Sequence, residues 1–358
     1  MKIKELQEIL KKRNIDFALF YNVGRDGGES NMTYFAQYVG IGALVIPSKS
    51  KPFLVVPKME FSRAKEGIID KVYIWDKEKR LFENIKGLLK KNRIRPKKIS
   101  IDKNVFSLNA YRELKKHLEG ASYLDVAGDC LKLREIKTKK EIEIIKKGCA
   151  ISDQILKKCM DNFRKFKTES EVRAFLENET KIRGCELAFP TIVASGINAV
   201  KPHHITRDVK LKKGFCVIDF GIKYKNYCTD TTRTVYLGKI NKKQRDIYNL
   251  VLDVQKETIN NIKANKKCDK IYNGALKGLK TYGKYFTHGL GHGFGINIHE
   301  LPNLTDKSKG KVKNNMVFTI EPGIYTDKFG IRIEDDVLIE DNTVKVLTKI
   351  TKELKVVS

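Results

Sequence analysis

The stretch THGLGHGFGINIHE, residues 287–300, holds three of the chain's six histidines and has glycine at every second position from Gly289 to Gly295. Its spacing fits neither a dinucleotide loop, which needs GxGxxG, nor a phosphate loop, which ends in GK followed by serine or threonine. Alternating glycines favour a tight extended segment in which the missing side chains let a bulky group approach the backbone. The stretch therefore predicts an extended segment around His292, and the partners of that histidine must come from elsewhere in the chain.

A first pair of acids lies in GFCVIDFGIKYKNYCTDTTRT, residues 214–234. An apolar strand precedes Asp219, the polar residues KYKN follow at 223–226, and a second predicted strand leads to Asp230. A symmetric antiparallel hairpin centred between Tyr224 and Lys225 would set Asp219 directly opposite Asp230, with Cβ atoms about 4.5–5.5 Å apart. Two carboxylates at that distance repel each other unless a proton or a cation lies between them.

A second pair of acids is also spaced symmetrically about a possible hairpin turn, in MVFTIEPGIYTDKFGIRIEDD, residues 316–336. A hairpin centred between Asp327 and Lys328 pairs Glu321 with Glu334. Both registers rest on spacing alone, and a β-bulge would shift either of them.

These four carboxylates and His292 form an oxygen-rich set of metal ligands. Such a set suits two divalent cations, for which we expect Mn²⁺ or Co²⁺, with Zn²⁺ or Fe²⁺ as alternatives. A structural zinc site prefers thiolates in a closed tetrahedron and is a poorer fit. Two metal ions that share a water lower its pKa and polarise a carbonyl, so the set indicates hydrolysis.

The overall charge raises nucleic-acid binding as a rival function, because the 358-residue chain has a formal net charge of +28. The excess is mostly lysine spread along both halves, without interleaved aromatics or an arginine-rich arm, and this pattern disfavours a nucleic-acid partner. Seven scattered cysteines without a CxxC pair favour reduced thiols and a cytoplasmic location. The start, MKIKELQEILKKR, reads as an amphipathic helix rather than an export signal. We expect no membrane span, because no run of about 18 apolar residues occurs.

Two domains fit this length. The first, residues 1–127, alternates short helices and strands and predicts a small α/β domain. Its predicted elements are helices at 4–13 and 81–91 and strands at 17–21, 42–47, 53–57, 71–75 and 98–102. Thr138 followed by Glu141 is a capping-box start for the first long helix of a second domain, residues 128–358. In that domain a helix over 246–263 carries an apolar stripe.

The chain resembles the creatinase, aminopeptidase P and prolidase family of metallopeptidases. Five short motifs in order carry the resemblance: IDFG at 218–221, TDTTRT at 229–234, HGLGHGFG at 288–295, IEPG at 320–323 and RIED at 332–335. The resemblance implies an α+β protein in which a creatinase-like N-terminal domain precedes a "pita-bread" catalytic domain, and it implies a homodimer.

The resemblance also implies roles for individual residues. The dinuclear metal ligands would be Asp219, Asp230, His292, Glu321 and Glu334. Asp230 and Glu334 would bridge the two ions, Asp219 would hold one, and His292 with Glu321 would hold the other. Glu321 would also handle the proton of the attacking water.

Further residues would act on the substrate. His203, His288 and His299 would orient it and steady the tetrahedral intermediate, and Arg332 would support Glu334. The chain reads Pro202, His203, His204, so either histidine could face the site. We favour His203, directly after the proline, and expect His204 to be a surface residue.

The leading hypothesis is a prolidase, an Xaa-Pro dipeptidase whose substrates are small peptides with proline at the second position. Aminopeptidase P, which acts on longer peptides, shares every motif, and the compact chain is a small reason to prefer the dipeptidase. A non-catalytic peptide-binding protein would be expected to have lost metal ligands, and all five are present. A creatinase-type amidinohydrolase is disfavoured because that branch dispenses with metal. A methionine aminopeptidase lacks a separate N-terminal domain of this size.

Overall fold

The computed structural model describes residues 2–24, 29–76 and 78–357. The chain forms two compact units, the first ending at Leu133 and the second beginning at Arg134. This division falls within a helix, Ala127–Glu135. The domain boundary that the sequence places after residue 127 stays a prediction.

The first unit is built around one sheet covered by helices. Its helices are α1 (Lys2–Lys12), α2 (Ser30–Ala36), α3 (Phe61–Lys65), α4 (Leu81–Lys91), α5 (Leu108–His117) and α6 (Ala127–Glu135). Its strands are β1 (Phe17–Asn22), β2 (Gly42–Pro47), β3 (Phe53–Val56), β4 (Lys71–Ile74), β5 (Lys98–Ile101) and β6 (Ser122–Asp125). The strand order is β4-β3-β2-β1-β5-β6.

Hydrophobic runs explain the centre of this sheet. Every residue of β1 (FALFYN) and of β2 (GALVIP) is buried, as expected for central strands covered on both faces. Strands β2 and β3, which match the predicted strands at 42–47 and 53–57, pair antiparallel as a hairpin around the turn SKSK, residues 48–51. Helix α4 has the predicted bounds, and its Leu81, Phe82, Ile85 and Leu89 lie in the core.

The buried carboxyl of Glu29 makes the stability of the first unit depend on pH. Burial raises the pKa of Glu29 to about 7, although the backbone N–H groups of Asn31 and Met32 partly oppose the shift. The Glu29 carboxyl therefore binds more proton in the folded unit than in the unfolded chain between about pH 4.5 and 7, and its contribution to stability, about 3 kcal/mol, is lost as pH rises through 7. We expect Glu29→Gln to remove this contribution. The difference between the free energies of unfolding in urea at pH 5 and at pH 8 should then be smaller in the variant than in the wild type. An unchanged pH dependence in the variant would contradict the assignment.

The second unit contains four long helices and several small sheets. Its α-helices are α7 (Lys139–Asp161), α8 (Glu169–Ile182), α9 (Lys242–Asn260) and α10 (Cys268–Gly278). Its strands are β7 (Glu186–Leu187), β8 (Ile192–Ser195), β9 (Gly214–Phe220), β10 (Ile222–Tyr224), β11 (Tyr227–Cys228), β12 (Thr231–Leu237), β13 (Gly291–Gly293), β14 (Glu300–Leu304), β15 (Val317–Ile320), β16 (Gly323–Tyr325), β17 (Gly330–Arg332), β18 (Asp335–Glu340), β19 (Thr343–Val346) and β20 (Val356–Val357).

Two sheets organise this unit. One has the strand order β20-β12-β9-β8 and the other β14-β13-β15-β18-β19. Helices α7 and α8 pack on the first sheet in one apolar cluster, while α9 and α10 pack on the second in another. Side chains alternate along a strand, so Ile218 and Phe220 of β9 face the first cluster and Asp219 between them points the other way.

Helix α7 begins as the sequence predicts. The Thr138 hydroxyl accepts from the backbone N–H of Glu141, and the Glu141 carboxylate accepts from the backbone N–H of Thr138. The predicted stripe of the 246–263 segment also lies in the core, although its helix runs from Lys242 to Asn260. Across the three described ranges, no helix combines the length and the apolar content needed to cross a membrane.

Candidate metal centre

The first predicted register is wrong by one residue at its centre. Strands β9 and β12 pair Asp219 with Thr232, and the hairpin turns at Lys225 and Asn226 rather than between Tyr224 and Lys225. Both turn residues have positive φ, 47° and 69°, which is the geometry of a two-residue type I′ turn. In this register Asp230 lies two residues from the partner of Asp219 on the same face, so the two carboxylates are diagonal neighbours.

The second predicted register is confirmed. Strands β16 and β17 pair Gly323 with Arg332, and β15 and β18 pair Ile320 with Asp335. Both pairings belong to a hairpin centred between residues 327 and 328. Glu321 and Glu334 lie in the short gap between these two ladders, facing each other across the hairpin.

The glycines around His292 let neighbouring backbones come close. A Cβ on Gly291 would lie 1.9 Å from the carbonyl oxygen of Thr319, and one on Gly293 would lie 2.0 Å from that of Leu301. The bulky group predicted to approach this extended segment is therefore the protein's own backbone. A register shift between His292 and Gly293 bends β13 at the histidine itself.

The five predicted ligands converge. Asp230, His292 and Glu334 offer ligand atoms that all lie within 4.8 Å of one another. His292 Nε2 is 3.6 Å from Asp230 Oδ2 and 3.5 Å from Glu321 Oε1. Asp219 belongs to the same cluster, since its charge acts on Asp230, Glu321 and Glu334.

Two observations show that this set fits divalent cations. Burial and the neighbouring carboxylates raise the pKa of Asp230 and of Glu334 well above the usual range, and burial also raises the pKa of Glu321. Among the described residues, the buried oxygens Asp219 Oδ1 and Asp230 Oδ1 have no hydrogen-bond partner. Buried acids that repel each other and keep free lone pairs are stabilised by positive charge placed between them.

Arg332 braces the cluster from one side. Its Nη2 donates to Asp219 Oδ2 at 2.6 Å, and its Nε donates to the Thr232 hydroxyl at 3.0 Å. That hydroxyl donates in turn to Glu334 Oε2 at 2.7 Å. The sequence analysis expects Arg332 to support Glu334 alone. In the structure Arg332 forms its ion pair with Asp219, and it reaches Glu334 only through the Thr232 hydroxyl.

The predicted active-site histidines His288 and His299 also line the site. His288 Nδ1 lies 3.8 Å from Glu321 Oε2, and His288 Nε2 is 3.0 Å from the Tyr325 hydroxyl. Burial lowers the pKa of His288, which favours the neutral imidazole. The rings of His299 and His292 have centroids 4.3 Å apart.

His203 and His204 occupy different environments. His203 is exposed, whereas His204 is buried with its Nε2 2.9 Å from Glu169 Oε2. The expectation that His204 is a surface residue is therefore wrong, because a buried carboxylate 35 residues earlier holds it inside.

A cavity of about 720 Å³ connects these groups. All five predicted ligands, the three active-site histidines and Arg332 lie in its wall, together with the apolar side chains of Phe189, Pro190 and Ile192. The volume is in the range of pockets that bind small molecules. The arrangement places a polar cluster at one wall of a partly apolar chamber.

Several residues that complete the site were missed from the sequence. The Tyr325 hydroxyl accepts from Arg332 Nη1 at 2.6 Å, and the Thr319 hydroxyl donates to Glu321 Oε1 at 3.2 Å. Asp336 Oδ2 accepts from the backbone N–H of Asp230 at 3.0 Å and from the Cys149 thiol at 3.4 Å. In the sequence, only the repeated threonines of TDTTRT and the two aspartates after Glu334, Asp335 and Asp336, indicated that further polar side chains would hydrogen-bond to the ligands.

Buried carboxylates and an imidazole from two packed sheets, gathered at one wall of a cavity, define a metal-dependent hydrolase. Residues 143–341 match Metallopeptidase family M24, and residues 2–136 match the Creatinase/Prolidase N-terminal domain. The chain belongs to metallopeptidase family M24. The predicted family, the α+β architecture with its pita-bread catalytic domain and the metallopeptidase class are thereby confirmed.

Three similar proteins cover nearly the whole chain. An Xaa-Pro dipeptidase from Pyrococcus furiosus is 37% identical over 90% of this chain and 92% of its own length. The crystal structure of the prolidase from Pyrococcus horikoshii OT3 has a TM-score of 0.89 at 33% identity and covers 99% of both chains. The crystal structure of an X-Pro aminopeptidase from Thermotoga maritima MSB8 also has a TM-score of 0.89, at 30% identity, and covers 96% of this chain and 98% of its own.

Proposed function

We propose that this metallopeptidase is a prolidase, which hydrolyses the bond between an N-terminal residue and a following proline in dipeptides. The supporting observation is the near full-length similarity to an Xaa-Pro dipeptidase and to a prolidase structure, combined with all five ligand candidates gathered in one cavity. The cavity's apolar wall of Phe189, Pro190 and Ile192 suits the ring of proline.

The proposed metal site uses the predicted ligands. Asp219, Asp230, His292, Glu321 and Glu334 would together hold two ions, with Asp230, His292 and Glu334 at the centre of the set. Mn²⁺ or Co²⁺ is the proposed metal, with Zn²⁺ or Fe²⁺ as alternatives, since carboxylates and imidazole together accept all four. When bound, the two ions would lower the pKa of a water and polarise the scissile carbonyl.

The protein's own groups then have distinct tasks. Glu321 is the proposed proton carrier, because its carboxylate lies at the cavity wall within 3.8 Å of His288 and 3.5 Å of His292. The neutral imidazole of His288 donates from Nδ1 to the carbonyl oxygen of Gly289, and its Nε2 is held by the Tyr325 hydroxyl, so it would orient the substrate as part of the cavity wall beside Glu321. His203 and His299 would donate hydrogen bonds to the substrate and to the tetrahedral intermediate. Arg332 keeps Asp219 and, through Thr232, Glu334 in place.

Aminopeptidase P activity is the second candidate, supported by the similarity to the X-Pro aminopeptidase structure. The test compares proline release from Ala-Pro with alanine release from Ala-Pro-Ala after loading with Mn²⁺. Ala-Ala and a metal-stripped sample serve as controls. Metal-dependent cleavage of Ala-Pro alone supports the prolidase, preference for the tripeptide supports the aminopeptidase, and no cleavage of either overturns both.

The histidine pair gives a prediction within this function. We expect His203→Ala to lower kcat for Ala-Pro by about 10²-fold, because it removes a donor that acts on the reacting carbonyl. His204→Ala should lower stability by about 1–3 kcal/mol, because the buried Glu169 carboxylate loses a hydrogen-bond donor, and it should lower kcat less than His203→Ala does. Steady-state kinetics and urea unfolding of both variants check this. A larger loss of kcat in His204→Ala than in His203→Ala would show that the wrong histidine has been assigned to the site.

We further propose a cytoplasmic homodimer. The seven cysteines are all buried free thiols, as suits a reducing compartment. Sedimentation analysis of the purified protein tests the dimer.

A further inference from the structure

The segment that carries His203 is held by one buried carboxylate. This segment, residues 195–204, is here called the histidine loop; it leaves β8 at Ser195, makes a 3-10 turn over Gly196–Val200 and ends at His204. His203 is exposed within it and lines the cavity. Irregular segments of this kind need contacts outside themselves to hold one conformation.

Glu169 provides those contacts. It is the first residue of α8 and is 0% exposed. Its Oε1 accepts from the backbone N–H of Ser195 at 2.7 Å, from the Ser195 hydroxyl at 2.8 Å and from Asn198 Nδ2 at 2.9 Å. Its Oε2 lies 2.9 Å from His204 Nε2. One carboxylate thus binds the start, the middle and the end of the histidine loop.

The charge state of Glu169 suits this arrangement. Burial alone would raise the pKa of Glu169, but the hydrogen bonds from Asn198, Ser195 and His204 outweigh burial and lower it. The group is therefore a carboxylate that accepts all four bonds, with the proton of His204 on Nε2. Hydrogen bonds to a buried carboxylate are stronger than those between neutral groups.

A second anchor acts on the residue before His203. The carbonyl oxygen of Pro202 accepts from Arg332 Nη1 at 3.3 Å. The turn of the loop also packs tightly on β17, since a Cβ on Gly330 would lie 1.7 Å from the carbonyl oxygen of Ala199. His203 therefore lies between two fixed neighbours, Pro202 held by Arg332 and His204 held by Glu169.

We propose that Glu169 is a positioning residue for catalysis, which fixes the histidine loop so that His203 presents its imidazole to the substrate. This inference rests on the proposed function for the role of His203, while the structural part stands independently. Groups that orient a residue in contact with substrate typically contribute about 10- to 100-fold to activity.

The kinetic test is a double-mutant cycle on Ala-Pro hydrolysis. We expect Glu169→Ala to lower kcat at least 10-fold with little change in KM, and Glu169→Gln, which keeps an acceptor for Ser195 and Asn198, to recover part of the loss. In a His203→Ala background, Glu169→Ala should lower kcat no further than about 2-fold, because both changes remove the same contribution. Equal losses in both backgrounds would overturn the proposal.

Hydrogen–deuterium exchange, with a control variant, tests this proposal separately from the proposed function. Hydrogen–deuterium exchange of residues 195–204 in the metal-free protein should rise in Glu169→Ala, whatever the substrate proves to be. Glu171→Gln is the matched control: Glu171 lies on the same helix, but its carboxylate accepts from the backbone N–H of Lys167, so exchange and kcat should not change. Unchanged exchange in Glu169→Ala overturns the proposal even if prolidase activity is found.

If Glu169→Ala fails to fold, the His204 end of the network tests the same idea. His204→Gln keeps a side-chain N–H donor near the position of Nε2, whereas His204→Ala removes it. We expect His204→Gln to retain more kcat and a lower exchange rate of the histidine loop than His204→Ala. Equal behaviour of the two variants would count against positioning through this hydrogen bond.

Discussion

Asp230→Asn is expected to lose metal-dependent hydrolysis of Ala-Pro by about 10³-fold, while the metal-free protein becomes more stable. Asp230 is buried among the carboxylates of Glu334, Asp219 and Glu321, and burial together with their repulsion raises its pKa. A neutral amide of the same shape relieves that repulsion and removes a ligand that two cations would share. The unfolding temperature of the metal-free variant should rise by about 2–4 °C for each kcal/mol relieved.

Added Mn²⁺ should reverse this order of stability. A cation that binds only the folded protein stabilises it in proportion to the logarithm of its concentration over Kd, so the wild type should gain more than the variant. Thermal unfolding with and without Mn²⁺ measures both effects. Asp246→Asn, an exposed change on α9, is the control and should alter neither. Full activity in Asp230→Asn, or a large fall in its metal-free stability, would refute the ligand assignment.

Arg332→Lys is expected to weaken metal binding about 10- to 100-fold although the positive charge is kept. The guanidinium donates hydrogen bonds to four groups at once: the side chains of Asp219, Thr232 and Tyr325 and the carbonyl oxygen of Pro202. A lysine ammonium is a single point of charge on a flexible stem and cannot reach all four. Competition with a chelator for Mn²⁺ measures the affinity directly, without reference to any substrate.

Arg332→Met should have the opposite effect on stability from Asp230→Asn. It leaves the partly buried carboxylate of Asp219 without its cation, and breaking a fully buried pair costs about 3–5 kcal/mol, which is the upper limit expected here. Arg245→Lys, on the exposed face of α9, is the matched control for charge-preserving replacement. Wild-type Mn²⁺ affinity in Arg332→Lys would show that Arg332 holds the fold but does not tune the ligands.

The sequence predicted many of the elements and pointed to a set of candidate ligands, because both depend on local patterns. Apolar runs predicted β1, β2 and α4, and acids at the ends of apolar strands indicated the candidate ligands that the structure brings together. The second register succeeded because its four-residue loop continues the ladder symmetrically on both sides. The first failed because a type I′ turn requires positive φ at Lys225 and Asn226, and Asn226 was the only hint.

Long-range supports could not be predicted in this way. Nothing near His204 indicates that Glu169 will receive it, and nothing near Asp219 indicates that Arg332 will lie beside it. Such contacts arise when elements far apart in the chain pack together, and a residue's neighbours in sequence do not report them. The same limit explains why Tyr325 and Asp336 went unrecognised.

The glycines of β13 also affect how mutational data on this protein should be understood. Any side chain at Gly291 or Gly293 would collide with a neighbouring carbonyl oxygen, so replacement there should be as damaging as replacement of His292. A scan of all positions scored by activity would therefore show an unbroken intolerant stretch and suggest more catalytic residues than the site contains. Scoring the abundance of folded protein in parallel would separate them, because the glycine variants would be lost in both assays and ligand variants such as Asp230→Asn only in the first.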